Sequence, residues 1–193
     1  MVYSVCMKKI VYINGFRGGG PSKKIEALKA AFPDDVLNPY IPARLKEARE
    51  AINNCLVSLD DDVILVGTSL GGYWAAEYSH CHALKAVILN PALNPGVLLR
   101  KYIGEMVDGR VWTSKDCDEY ALWGSPKVND GVPKVVICEA GDDLIPYKDT
   151  MKLLHLDKPR HPQFVLLQGG DHRFSNYPEM IKYIKELDFT EIL

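Results

Sequence analysis

No run of apolar residues in this 193-residue sequence approaches the roughly 18 positions of a membrane-crossing helix. Neither sign of charge dominates. The 23 Lys and Arg face 25 Asp and Glu, for a formal net charge of -2, which leaves no electrostatic footprint for nucleic acid or an anionic membrane. Cysteine is sparse and unpatterned. Cys6, Cys55, Cys81, Cys117 and Cys138 are odd in number, and no two are spaced C-x-x-C. The amino-terminal MVYSVCMKKIVYIN carries its basic pair, Lys8 and Lys9, after the apolar start, so it does not read as a secretory leader. Met7 offers an alternative start. Together these features predict reduced thiols in the cytoplasm. Internal repeats and low-complexity tracts are also missing.

What is present is ordinary globular composition. Apolar residues at 47% and charged residues at 25% exclude disorder, collagen-like repetition and a disulfide scaffold. A chain of this length buries a sizeable core without staples, and residues 1–193 are expected to form one domain. Short β-branched runs alternate with longer patterned stretches. Strands are expected at Lys9–Ile13, Val36–Leu37, Val63–Val66, Ala86–Leu89, Val135–Cys138 and Phe164–Leu167. Helices fit Ser22–Phe32, Ala43–Leu59, Tyr73–Tyr78, Tyr147–Leu154 and a final segment opened by Asn176 with Glu179 three residues on. Asp60–Asp62 reads as a turn. The stretch from Asn90 to Gly131 reads as irregular, with one or two short helices, and 93–130 as a possible cap or lid. This alternation implies right-handed crossovers and an α/β/α sandwich with a mainly parallel sheet of about six strands. Ligands of such sheets bind beyond the carboxyl ends of the strands.

The residues just after each strand therefore carry the argument. Gly67-Thr68-Ser69-Leu70-Gly71 is a G-x-S-x-G between an apolar strand and a helix, the setting of a nucleophile elbow. The plainer reading is a glycine-rich turn that binds phosphate. A serine nucleophile needs a base oriented by a third group. Among the histidines, only His172, in Gly169-Gly170-Asp171-His172, follows a strand on the sheet's carboxyl side. His80 and His82 end a helix, and His155 and His161 flank a helix-to-strand link. Gly141-Asp142-Asp143 supplies two candidate acids in the chain order Ser, Asp, His; one of the pair is expected to cap the next helix, and composition leaves the choice open. Oxyanion donors are expected from the backbone N–H of Leu70 and, through the loop Asn14-Gly15-Phe16-Arg17, of Phe16. Arg17 could meet an anionic substrate group or simply face solvent. Tyr73, Trp112 and Trp123 could line a pocket or pack in the core. Zinc is not expected: His80-Cys81-His82 lacks a second cluster to complete four ligands.

Four segments, Tyr12-Ile13-Asn14-Gly15-Phe16, Gly67-Thr68-Ser69-Leu70-Gly71-Gly72-Tyr73, Asn90-Pro91-Ala92 and Gly170-Asp171-His172-Arg173-Phe174, complete a resemblance. The chain resembles the α/β-hydrolase superfamily over nearly its whole length. More narrowly, it is similar to the small YqiA/YcfP-like esterases of bacteria. That resemblance implies a minimal α/β-hydrolase fold, with Ser69 as nucleophile, His172 as base and Asp142 as acid. It implies a serine esterase for short acyl esters or thioesters, working without metal or organic cofactor. Asn14 stands where the family usually has His. Two further readings keep the fold: a non-catalytic binding or regulatory module with a vestigial site, and a peptidase or amidase using the same three residues.

Overall fold

The computed structural model describes residues 9–20, 22–59, 62–128, 131–155 and 163–188. Cys6, Met7, most of the Asp60–Asp62 turn, the last two residues of the 93–130 segment and His161 lie outside them.

Along the chain run β1 (Lys9–Ile13), α1 (Lys23–Ala31), β2 (Val36–Leu37), α2 (Leu45–Val57), β3 (Val63–Thr68), α3 (Leu70–His82) and β4 (Lys85–Leu89). Next come α4 (Pro95–Leu98), a 3-10 turn (Leu99–Tyr102), β5 (Met106–Val107), β6 (Arg110–Val111) and α5 (Ser114–Trp123). β7 (Lys134–Glu139), α6 (Tyr147–Leu153), β8 (Phe164–Leu167) and α7 (Tyr177–Asp188) complete the described chain. The main sheet has six strands in the order β2-β1-β3-β4-β7-β8, and every pairing is parallel.

Strand periodicity divides the core in two. Ile10, Tyr12, Ile64, Val66, Val87, Leu89, Val135 and Ile137 face α1 and α7, where Ile25, Leu28, Met180 and Ile184 meet them. Their neighbours Val11, Ile13, Val63, Leu65, Ala86, Ile88, Val136 and Cys138 face α2, α3 and α6. Both faces are covered, so the strands are apolar throughout. Burying Met180 and Ile184 stabilises the docking of α7 by about 1.5–3 kcal/mol each. Its start is capped as expected, Glu179 N–H donating to Asn176 Oδ1 at 3.4 Å. Ser22 likewise caps α1, accepting from Ile25 N–H at 3.4 Å.

Two stretches differ from the sequence reading. The gap left between the expected strand end at Val66 and the expected helix start at Tyr73 contracts to one residue: β3 runs through Thr68 and α3 begins at Leu70. Gly71 and Gly72 are therefore helical, held there by close packing rather than by turn chemistry. The second difference lies in the irregular stretch, which contains a hairpin, β5–β6, besides its two helices. Two-residue strands leave too little alternation to read. Arg44 anchors this segment. Its guanidinium donates to the carbonyls of Val107 at 3.1 Å and Val111 at 2.8 Å and pairs with Asp116 at 3.1 Å. Tyr120 donates to Ala43 O at 2.7 Å. Leu93, Leu99, Val107, Trp112, Cys117 and Tyr120 join the core beneath α3. No helix of the described residues is long and apolar enough to cross a membrane.

Candidate active site

Ser69 occupies the junction between β3 and α3 with φ 57° and ψ -120°. A non-glycine residue in this region stores strain that its surroundings must impose. The surroundings are two close backbone approaches. A Cβ on Gly67 would collide with the backbone of Gly71, and one on Gly71 with the carbonyl of Ile13. Hydrogen bonds hold the junction: Ser69 N–H donates to Leu89 O at 3.0 Å, while Ser69 O accepts from Tyr73 N–H at 3.1 Å and Ala92 N–H at 3.0 Å. The hydroxyl is left partly accessible beyond the carboxyl end of the sheet.

His172 follows β8 and reaches back over β7 and β4. Its Nε2 lies 3.0 Å from Ser69 Oγ, and its Nδ1 lies 2.9 Å from Asp142 Oδ2. Asp142 is 4% exposed. Its other oxygen, Oδ1, accepts from the N–H groups of Leu144 at 3.0 Å and Ile145 at 2.8 Å. Those two donors fix the orientation of the carboxylate. Asp143 is exposed and points elsewhere. Of the two candidate acids, Asp142 is the one brought to the imidazole. With Nδ1–H donating to Asp142, Nε2 would face Ser69 Oγ as a hydrogen-bond acceptor.

The loop after β1 passes beside the serine. A Cβ on Gly15 would lie 3.6 Å from Ser69 Oγ. Gly18 N–H donates to Gly15 O at 2.8 Å, closing a turn with Arg17 at φ 60°. The Phe16 ring locks that turn against Tyr102 and Trp112, at centroid distances of 4.9 and 5.0 Å. Leu70 N–H opens α3, so helix geometry supplies it no acceptor. Phe16, Ser69, Leu98, Tyr102, Ile145 and His172 surround a cavity of about 150 Å3. A larger one, about 360 Å3, lies across the β1 loop beside Asn14, Tyr40 and Asp108 and includes neither Ser69 nor His172.

The remaining candidates go elsewhere. Arg17 borders both cavities, but its guanidinium pairs with Glu105 and donates to Met106 O at 3.3 Å. It thus latches the β1 loop to the hairpin. Tyr73 is not brought to the site: it is fully buried and donates to Gly124 O at 3.0 Å. Trp112 is core, its indole N–H donating to Cys117 Sγ at 3.2 Å. Trp123 is partly exposed and donates to Glu77 at 2.9 Å. His82 stacks on Tyr78 at the far end of α3. Among the described residues no group of three or more His, Cys, Asp or Glu is placed to hold a metal ion.

The model of the uncharacterised protein family UPF0227 matches residues 9–189. The chain belongs to the UPF0227 family. UPF0227 proteins of Shewanella sp. (strain MR-7) and Vibrio parahaemolyticus are 24% and 23% identical to it, over 92% and 94% of this chain and 96% and 99% of theirs. Among solved structures it resembles the α/β hydrolase domain-containing protein 10 from mouse, with a TM-score of 0.69 at 16% identity over 93% of this chain and 88% of that one. It also resembles Est1E from Butyrivibrio proteoclasticus, with a TM-score of 0.64 at 16% identity over 93% and 86%. A monoacylglycerol lipase of Paleococcus ferrophilus gives 0.63 at 17% over 93% of both chains. This UPF0227 chain thus has the α/β-hydrolase fold.

Two residues that the sequence reading gave no role hold the UPF0227 histidine loop. Glu139 ends β7 and is 1% exposed. Its carboxylate accepts from Asp171 N–H at 2.9 Å, Ser175 N–H at 3.0 Å, Ser175 Oγ at 3.2 Å and Asn176 N–H at 2.9 Å. Asn90 ends β4. It accepts from Glu139 N–H at 2.8 Å and donates to Asp171 O at 2.9 Å. One signal was available: a carboxylate directly after an apolar parallel strand lies at the ligand-facing edge. Which donors it would gather was not readable. Replacing Glu139 with alanine leaves the part-buried N–H groups of Asp171, Ser175 and Asn176 without this acceptor, at a cost of about 1–3 kcal/mol in all. The expected result is a melting temperature lower by about 5–10 °C. Misplacing His172 by an ångström should also lower turnover on the order of 100-fold. Calorimetry and steady-state rates on the same preparation check both.

Proposed function

We propose that this protein is a serine hydrolase cleaving short acyl esters or thioesters through an acyl-enzyme. The observation that carries this reading is the unbroken contact from Asp142 through His172 to Ser69, set beside a cavity. Ser69 Oγ attacks the acyl carbon while its proton passes to His172 Nε2. Asp142 keeps the imidazole in the accepting tautomer and stabilises the imidazolium. The N–H groups of Phe16 and Leu70 receive the oxygen as its negative charge develops. Collapse of the tetrahedral species breaks the ester bond, and the leaving alcohol takes the proton from Nε2. Water then enters, yields a proton to the same nitrogen and releases the acid, restoring Ser69. None of these steps requires a metal or an organic cofactor.

Residues 1–193 act in this reading as one domain. The proposed cap over 93–130 roofs the site through residues 98–102, since Leu98, Leu99 and Tyr102 border the serine cavity. A reducing cytoplasm suits the four described cysteines, all free. Ester chemistry is favoured over peptide cleavage because the cavity beside Ser69 is small and lined mainly by apolar side chains. A fluorophosphonate probe should label the wild type and spare Ser69→Ala. Equal labelling of the two would overturn the proposal.

A further inference from the structure

A second cavity adjoins the one that holds Ser69. It measures about 260 Å3 and lies between α4 and α6, against Leu93, Val97, Thr150 and Leu153. Asn94, Asp149 and Lys152 form its polar rim. Leu98 and Ile145 border both cavities, so these two side chains stand on the boundary between them. Val97 and Leu153, at 60% and 38% exposure, continue the apolar lining toward solvent.

We infer that Leu98 and Ile145 are the partition that sets acyl length, with the second cavity as a latent extension of the acyl subsite. This rests on the hydrolase reading above. The serine cavity, about 150 Å3, matches the size of a cavity that takes up benzene, so an acyl group of about six carbons fills it. A longer chain meets the two branched side chains. Beyond them lies room of apolar character. The two sides of the partition come from different parts of the fold: Leu98 belongs to the one-turn helix α4, and Ile145 to the loop whose N–H groups hold Asp142. Ile145 is fixed by that loop, whereas Leu98 is half-buried on a short helix. Trimming Leu98 is therefore the gentler way to join the cavities.

The test is a series of p-nitrophenyl esters from acetate to decanoate, read as kcat/KM. Wild type should fall at least tenfold between hexanoate and octanoate. Leu98→Ala should raise the octanoate-to-butyrate ratio by tenfold or more, since each methylene newly buried is worth about fourfold. Ile145→Val, a milder change that keeps the loop, should raise it less. Adding Leu153→Trp to Leu98→Ala fills the far cavity and should return the ratio toward wild type. Equal cleavage of octanoate and butyrate by wild type overturns the inference. So does an unchanged ratio in both single variants that still take up the fluorophosphonate. If wild type cleaves no ester and takes up no probe, the hydrolase reading itself fails and this inference falls with it.

Discussion

Ser69→Ala is expected to lower kcat on a p-nitrophenyl ester by about a million-fold, down to the residue left by binding and oxyanion contacts. The reason is chemical: among the described residues, the hydroxyl hydrogen-bonded to His172 Nε2 is that of Ser69, at 3.0 Å. Stability should hardly change. The Ser69 side chain's hydrogen bond is to His172, and alanine meets the same strained backbone at φ 57°. Glycine at this position would relieve that strain, worth on the order of 1 kcal/mol. Ser69→Gly should therefore be as inactive as Ser69→Ala and melt slightly higher. A Ser69→Ala variant keeping more than a few per cent of wild-type turnover would remove Ser69 from the nucleophile role. Stopped assays with purified protein, alongside melting curves, decide it.

Asp142→Asn should cost about 10^4-fold in kcat, whereas Asp143→Asn should stay within a few-fold of wild type. The argument lies in the hydrogen bonds. Oδ1 of Asp142 accepts from two backbone N–H groups, those of Leu144 and Ile145. An asparagine must turn its oxygen toward those donors, which leaves its NH2 facing His172 Nδ1. A donor there forces Nδ1 to accept and puts the ring proton on Nε2. That nitrogen then presents a proton to Ser69 and cannot take one. Loss follows from the wrong tautomer, not from a missing contact, so the fold should survive. Asp143 is solvent-exposed and makes no such contact with the ring. Equal losses at the two positions would overturn the assignment. Steady-state rates over a range of pH check it.

The contrast between these carboxylates illustrates how legible the site was. G-x-S-x-G after an apolar strand is a local pattern, and both its glycines sit where backbones touch. His172 could be chosen because histidines elsewhere follow helices. Asp142 and Asp143 are adjacent and alike, so residue patterns left them equal and only a family resemblance separated them. Their difference is one of direction: a single backbone step turns one inward and the other outward. Glu139 and Asn90 were harder still. Their partners, Asp171, Ser175 and Asn176, lie 32 to 81 residues from the side chain that holds them, and no spacing rule links them. Tyr73 is a different case. Pocket and core were both open for it, and the helix rotates it into the core against Trp74 and Tyr120.

The α/β architecture, and the expectation that Ser69 and His172 carry the chemistry, were legible in the sequence alone, because hydrophobic period and turn composition act over a few residues. What turns Asp142 inward and Asp143 outward, what holds the histidine loop, and how the roof borders the space beside Ser69 were decided only in three dimensions. Those properties depend on side-chain direction and on contacts between segments far apart in the chain, and the linear order of residues encodes neither until the sheet brings its carboxyl ends together.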